Sequence, residues 1–116
     1  MKLVIGGAYQ GKLSWAVPHY GLEGAELCDC TKTEPTAGAA CYYHIEALTK
    51  RCEQPERYLP LFRHAVIVSR EIGCGLVPMD AQERAWRERH GLFLRLLAAE
   101  SDEVTRVFCG LPEVLK

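Results

Sequence analysis

The chain has 116 residues, 48% of them hydrophobic, and its 14 basic and 15 acidic residues leave a net charge of −1. These values fit a single domain over residues 1–116 and exclude the broad basic surface that drives nonspecific nucleic-acid binding. The absence of an apolar run of about 18 residues, and of a signal-peptide core, predicts a cytoplasmic protein without a membrane span.

The first predicted strand, Lys2–Ile5, leads into a glycine loop and then into a helix that begins near Lys12. The loop fits the phosphate-binding pattern G-x-x-x-x-G-K-S/T at three of its four fixed positions. Leu13 stands where the pattern places a hydroxyl that holds magnesium, and Ser14, rotated by about 100° along a helix, is an imperfect substitute. The residues predicted to hold a nucleotide are Gly6, Gly7, Ala8, Tyr9, Gln10, Gly11, Lys12, Leu13 and Ser14.

Strand and helix patterns alternate after this loop. Ala25–Cys30, Ala65–Ser69 and Val104–Cys109 are predicted strands. Helical patterns cover three segments, which are Ala37–Cys52, Pro55–Phe62 and Asp80–Glu100. This alternation predicts an α/β fold with a small, mostly parallel sheet of about four strands. Gly73–Pro78 is predicted to be an irregular turn.

Three charged residues follow predicted strands. In a parallel sheet the loops at the carboxyl ends of the strands face one crevice, so Lys12, Asp29 and Glu71 are expected to meet there. Lys12 would pair with phosphate, Asp29 would hold magnesium directly or through water, and Glu71 would lie beside them. Each residue also has a structural interpretation, because glycines flank many loops, an Asp at a strand end often caps a turn, and Glu71 could be a solvated charge.

The six cysteines and four histidines show no metal-binding spacing. The chain is long enough to fold without bridges, so buried free thiols are favoured over disulfides. Cys28 and Cys30 would lie on one face of a strand, where two thiolates alone form an incomplete zinc site.

Four segments carry a family resemblance, namely Gly6–Lys12, Leu27–Thr31, Val68–Pro78 and Gly110–Lys116. Together they resemble the adenosylcobinamide kinase/adenosylcobinamide-phosphate guanylyltransferase family of cobalamin biosynthesis. The resemblance implies a P-loop NTPase-like three-layer fold, ATP or GTP with Mg²⁺, a corrinoid substrate and a homo-oligomer, commonly a trimer. It assigns the glycine loop to the nucleotide and Glu71 to the carboxylate of an Asn-Glu-Val-Gly motif.

The chain departs from the family pattern at positions that bear on activity. Leu13 replaces the magnesium hydroxyl, and Arg70 replaces the asparagine of the motif. The interval between Leu13 and Cys28 lacks the strand and the helix that carry the family's guanylylated histidine, and no histidine of this chain matches it. Guanylyl transfer is therefore not expected, because a covalent intermediate needs a positioned nucleophile.

Three hypotheses remain open. The first is a shortened kinase that phosphorylates adenosylcobinamide, with Lys12, Asp29 and Glu71 as catalytic residues and with Asp29 and Ser14 on magnesium. The second is a catalytically inactive module of the same fold that binds a nucleotide or a corrinoid, or serves in assembly. The third is a purely structural protein that keeps the fold and loses the pocket; the retained Gly11-Lys12 pair speaks against that one.

Overall fold

The computed structural model describes residues 1–72 and 78–116. Within these residues, six strands form one mixed sheet with helices on both faces. The strands are β1 (Lys2–Gly6), β2 (Leu27–Asp29), β3 (Cys41–Tyr43), β4 (Val66–Arg70), β5 (Glu103–Phe108) and β6 (Leu111–Val114). The helices are α1 (Lys12–His19), α2 (Ile45–Arg51), α3 (Leu59–Phe62), which follows a 3-10 turn at Pro55–Tyr58, and α4 (Ala81–Glu100).

The strand order is β2-β3-β4-β1-β5-β6, and every neighbouring pair is parallel except β5 and β6. β1 therefore lies between β4 and β5, with Val4 opposite Val68 on one side and Thr105 on the other. The carboxyl ends of β1 and β4 lie side by side, and the Glu71 amide donates a hydrogen bond to the Gly6 carbonyl at 2.8 Å.

Side chains alternate between the two faces of the sheet, so each central strand contributes to two cores. Leu3 and Ile67 lie on the face covered by α2, α3 and α4, whereas Val4 packs with Ala16 of α1 on the other face. α1 connects β1 to β2, and α4 connects β4 to β5 in the opposite direction along the sheet. Such a reversal opens a crevice at the carboxyl ends of β1 and β4, where ligands bind in open α/β sheets.

Two predictions about secondary structure are wrong. The sheet has more than four strands, because β3 lies in a segment that was predicted to be a helix and β6 follows the last predicted strand. The helix expected over Ala37–Cys52 begins only at Ile45, after His44 takes a left-handed conformation with φ 60°. Burial of Cys41 and Tyr42 between β2 and β4 favours a strand, since packing overrides local helical composition.

The α/β class and the remaining predicted elements are confirmed to within a few residues, including α4, whose Asp80 caps the helix by accepting a hydrogen bond from the Gln82 amide. The predicted turn at Gly73–Pro78 falls largely on residues 73–77, which lie outside the described residues.

The cysteines in the described part of the chain are free thiols. Burial raises the pKa of Cys30 and of Cys41 to about 12, so both remain protonated at neutral pH. Across residues 1–72 and 78–116, no helix is both long enough and apolar enough to cross a membrane.

Candidate functional site

The glycine loop joins β1 to α1 at the crevice, and two of its glycines are required by the backbone. A Cβ on Gly6 would lie 2.5 Å from the Val107 carbonyl oxygen, which is closer than atoms can approach. Gly11 has φ 87° and is the residue that caps the start of α1. A left-handed conformation at this position is strained for any residue with a side chain. The loop thus delivers the amino end of α1 to the crevice, where free backbone N–H groups favour anions.

Lys12 folds back over the loop. Its ammonium donates a hydrogen bond to the Gly7 carbonyl at 2.7 Å. Burial lowers the pKa of Lys12, although the negative charges of Glu46 and Glu71 act in the opposite direction. A partly desolvated cation held inside a glycine loop is suited to a polyphosphate, whose charge replaces the lost hydration.

Leu13 and Ser14 both line a cavity beside Lys12 but differ in burial. Leu13 also packs against the core under α1, whereas Ser14 is exposed. The residue that replaces the expected hydroxyl therefore has a packing role, and the neighbouring hydroxyl lies at the cavity.

This cavity, which we call the lysine cavity, has a volume of about 190 Å³. One wall comes from the glycine loop and α1, and the other from the ends of β3 and β4 and the start of α2. Its lining residues are Tyr9, Gly11, Lys12, Leu13, Ser14, Tyr43, His44, Glu46 and Val68.

Glu46 is the acidic residue of the lysine cavity, and the sequence did not indicate it. Its side chain is 12% exposed, and its Oε1 lies 3.5 Å from His44 Nδ1. Its other oxygen, Oε2, is buried and has no hydrogen-bond partner among the described residues. Because a helix was predicted over Ala37–Cys52, Glu46 was not expected just after a strand. Recognising a strand that ends at Tyr43 would have placed Glu46 at the carboxyl edge of the sheet.

Asp29 lies apart from Lys12. It ends the edge strand β2, and both β3 and β4 separate it from β1, a lateral distance of roughly 14 Å at about 4.8 Å per strand. Its Oδ1 accepts hydrogen bonds from the Thr31 amide at 3.0 Å and the Thr31 hydroxyl at 2.7 Å. Burial raises the pKa of Asp29, but these two bonds together with the neighbouring His44 and Lys32 hold the pKa below its ordinary value. In this arrangement the carboxylate caps a turn.

Glu71 lies on the side of the glycine loop away from the lysine cavity. Its Oε2 is 3.6 Å from Arg106 Nε, and it lines a separate cavity of about 360 Å³ that also includes Ala8. Of the three residues expected to meet, Lys12 and Glu71 therefore flank the same loop, and Asp29 does not join them.

His90 of α4 lies below the crevice, between β4 and α2. It is buried, with Nε2 2.8 Å from the Arg70 carbonyl and Nδ1 2.8 Å from the Thr49 hydroxyl. Burial lowers the pKa of His90 and so favours the neutral ring. Because the Arg70 carbonyl can only accept, Nε2 donates to it and Nδ1 accepts from the Thr49 hydroxyl. Trp86 donates to the same Thr49 hydroxyl at 3.1 Å. α4 thus fixes the end of β4 to α2.

A second groove of about 550 Å³ lies on the opposite side of α1 from the lysine cavity, and the two share Gly11 and Ser14. The rings of Trp15 and His19 stack there with centroids 4.4 Å apart. The groove offers an apolar, aromatic wall beside the loop.

The glycine loop is also tied to the turn between β5 and β6. The Gly110 amide donates to the Gln10 carbonyl at 2.9 Å, and the Cys109 amide donates to Gln10 Oε1 at 2.6 Å. These bonds give the tip of the loop a fixed partner outside α1.

The arrangement can bind a polyphosphate between backbone N–H groups and Lys12, with one carboxylate in the lysine cavity. In residues 1–72 and 78–116, no group of three or more His, Cys, Asp and Glu side chains could hold a metal ion by itself. A hard cation at this site would therefore share its coordination between protein and ligand oxygens.

Comparison with known proteins identifies the family of the chain. A search of curated proteins finds no match. The family model described as cobinamide kinase / cobinamide phosphate guanyltransferase matches residues 23–115. The matched part contains Asp29, Glu46 and Glu71, whereas the glycine loop precedes it. Because the match covers most of the chain, this protein belongs to the cobinamide kinase / cobinamide phosphate guanyltransferase family.

Proposed function

We propose that the chain binds ATP or GTP with Mg²⁺ at Gly6–Ser14 and transfers the terminal phosphoryl group to a corrinoid alcohol such as adenosylcobinamide. The observation that carries this proposal is the Lys12 ammonium, which the glycine loop holds beside a cavity at the carboxyl ends of β1 and β4. Family membership supplies the class of reaction and of acceptor. A P-loop NTPase-like fold accords with the order of β1, the glycine loop and α1.

In the proposed reaction, an acceptor hydroxyl oxygen bonds to the terminal phosphorus, the bond from that phosphorus to its bridging oxygen breaks, and the hydroxyl proton is released. Lys12 and the backbone N–H groups at the start of α1 would orient the phosphates and neutralise their charge. Bound magnesium would supply further charge neutralisation on the phosphate oxygens. Glu71, at the loop's other side, is proposed to orient the acceptor.

Guanylyl transfer is not part of the proposed function. α1 ends at His19 and β2 begins at Leu27, so only residues 20–26 connect them. This interval has no room for the strand and helix that bear the nucleophilic histidine in the family. Transfer of GMP would need such a nucleophile beside the α-phosphate.

The second candidate function is an inactive module that binds a nucleotide or a corrinoid. The position of Asp29, three strand spacings from β1 and hydrogen-bonded to Thr31, favours it, because the expected magnesium carboxylate is absent from the lysine cavity. A homo-oligomer, which the family resemblance implies, and a cytoplasmic location, which the sequence pattern predicts, are also proposals.

Calorimetry with ATP and with GTP, each with and without Mg²⁺, tests nucleotide binding. Lys12→Ala should weaken binding by about tenfold or more, because a charge-assisted hydrogen bond contributes roughly 1.5–3 kcal/mol. Lys32→Ala, which removes an exposed lysine next to the turn after β2, is the matched control and should bind as the native chain does.

If neither nucleotide binds at millimolar concentration, the kinase proposal and the nucleotide-binding alternative both fail. If a nucleotide binds, transfer of labelled phosphate to adenosylcobinamide distinguishes the two candidate functions. Label in the corrinoid supports the kinase, and binding without transfer supports the module.

A further inference from the structure

The carboxylate of Glu46 lines the same cavity as Lys12, and one of its two oxygens has no hydrogen-bond partner among the described residues. Oε2 is buried and lacks a hydrogen-bond partner among the described residues, and Oε1 has only a 3.5 Å approach from His44 Nδ1. Burying a carboxylate oxygen without a hydrogen-bond partner is unfavourable in an apolar setting. A ligand that supplied a partner to Oε2 would remove this cost.

Lys12 does not supply the missing hydrogen bond to Glu46 Oε2. The Lys12 ammonium donates to the Gly7 carbonyl, and Glu46 acts on Lys12 through its charge, which raises the lysine pKa against the larger effect of burial. The two groups face the same cavity of about 190 Å³. A polyphosphate bound to Lys12 would bring more negative charge beside Glu46, and a cation between them would relieve the repulsion.

The other acidic residues considered for this role are engaged elsewhere. Asp29 accepts two hydrogen bonds from Thr31 at the edge of the sheet, and Glu71 lies beside Arg106 in a different cavity. Among the described residues that line the lysine cavity, Glu46 is the sole carboxylate.

We propose that Glu46 Oε2, together with the Ser14 hydroxyl, provides the protein oxygens for the magnesium ion of a bound nucleoside triphosphate. This inference rests on the proposed nucleotide binding and reassigns the metal-binding carboxylate from Asp29 to Glu46. Magnesium prefers hard oxygen ligands and is usually held by one or two carboxylates plus phosphate oxygens and water, which matches this donor set. Glu46 thereby supplies a metal ligand in place of the hydroxyl that the loop pattern has at the position of Leu13.

The test compares the nucleotide affinity of the native chain, Glu46→Gln and Glu83→Gln, each with and without Mg²⁺, by calorimetry. Glu83 lies on α4 beside Lys50, outside the cavity, and serves as the control. The native chain and Glu83→Gln should gain about tenfold in affinity when Mg²⁺ is added. Glu46→Gln should lose that gain and keep its metal-free affinity, or improve it, because a negative charge beside the phosphates is removed.

Two measurements that do not depend on phosphoryl transfer distinguish a metal-binding role of Glu46 from a structural one. Electron paramagnetic resonance with Mn²⁺ as the probe should show weaker metal binding in the nucleotide complex of Glu46→Gln. Chemical unfolding without ligand should show that Glu46→Gln is as stable as the native chain or more stable, since the buried atom without a hydrogen-bond partner no longer carries charge. A structural role would instead make this variant less stable.

Glu46→Asp provides a second variant if Glu46→Gln does not fold. It keeps the charge but withdraws the oxygen atoms, and its Mg²⁺ gain should be smaller than that of the native chain. The inference is overturned if Glu46→Gln or Glu46→Asp retains the full gain. It is also overturned, with nucleotide binding intact, if Mg²⁺ leaves the affinity of the native chain unchanged. Failure of the native chain to bind either nucleotide overturns the proposed function itself.

Discussion

At the residue scale, Leu13 places an apolar, core-packing side chain where the glycine-loop pattern has a hydroxyl. Its side chain packs against the core under α1, which contains Val4 and Ala16. Leu13→Ser would restore the glycine-loop pattern, but it should lower the free energy of unfolding by roughly 1–2 kcal/mol, because part of a half-buried leucine is lost. Leu13→Ala is the matched control, since it removes the same packing without adding a hydroxyl. Urea unfolding measures both.

The restored hydroxyl should matter most when Glu46 is neutralised. In the Glu46→Gln background, Leu13→Ser should recover a Mg²⁺-dependent gain in nucleotide affinity that Leu13→Ala does not recover. Equal stability of Leu13→Ser and the native chain would contradict the packing role of Leu13.

At the element scale, His90 joins three elements that the sequence presents far apart. Its ring contacts Thr49 of α2 and both Ser69 and the Arg70 carbonyl of β4. His90→Phe keeps the volume but leaves these polar groups without their partner, so the free energy of unfolding should fall by about 2–3 kcal/mol at neutral pH. His64→Phe, at an exposed position, is the control and should change stability little.

The same substitution should alter the pH dependence of stability. Burial lowers the pKa of His90, against the raising effects of the Arg70 carbonyl and the charge of Glu46. As pH falls below about 6.5, the unfolded chain therefore binds a proton that the native ring does not, and the native chain loses stability. Unfolding measured between pH 7.5 and 5.5 should show a smaller loss for His90→Phe. An equal loss in both proteins would contradict this assignment.

The elements also show what the sequence could and could not predict. β1, α1, β4 and α4 were predictable because each has a long apolar pattern or a clear start and stop signal, such as Asp80 at the start of α4. β3 was not, because its three residues are followed at once by helical residues, and its strand conformation depends on pairing with β2 and β4. Strand order depends on such pairing. Without β3 in the predicted sheet, Asp29 was expected near Lys12, and Glu46 was not expected at the end of a strand.

At the scale of the whole molecule, the sheet ends in an exposed apolar pair. Phe108 of β5 and Leu111 of β6 lie opposite each other and are 60% and 70% exposed. Exposed apolar residues at a sheet edge are sites of association. If the homo-oligomer implied by the family resemblance forms here, Leu111→Lys should shift the chain toward monomer in sedimentation experiments at micromolar concentration. Leu92→Lys, at an exposed position on α4, should leave the assembly unchanged. A native chain that stays monomeric, or an equal effect of both variants, would contradict this prediction.

The two hydrogen bonds from the β5–β6 turn to Gln10 connect this edge with the glycine loop. If the loop changes shape when phosphate binds, the turn must change with it or give up both bonds. Thermodynamic reciprocity then applies, because a partner that favours one shape of the turn changes nucleotide affinity by the same factor by which the nucleotide changes affinity for the partner. If the loop binds a nucleotide as proposed, the Gln10 contacts would couple its occupancy to whatever binds at this edge of the sheet.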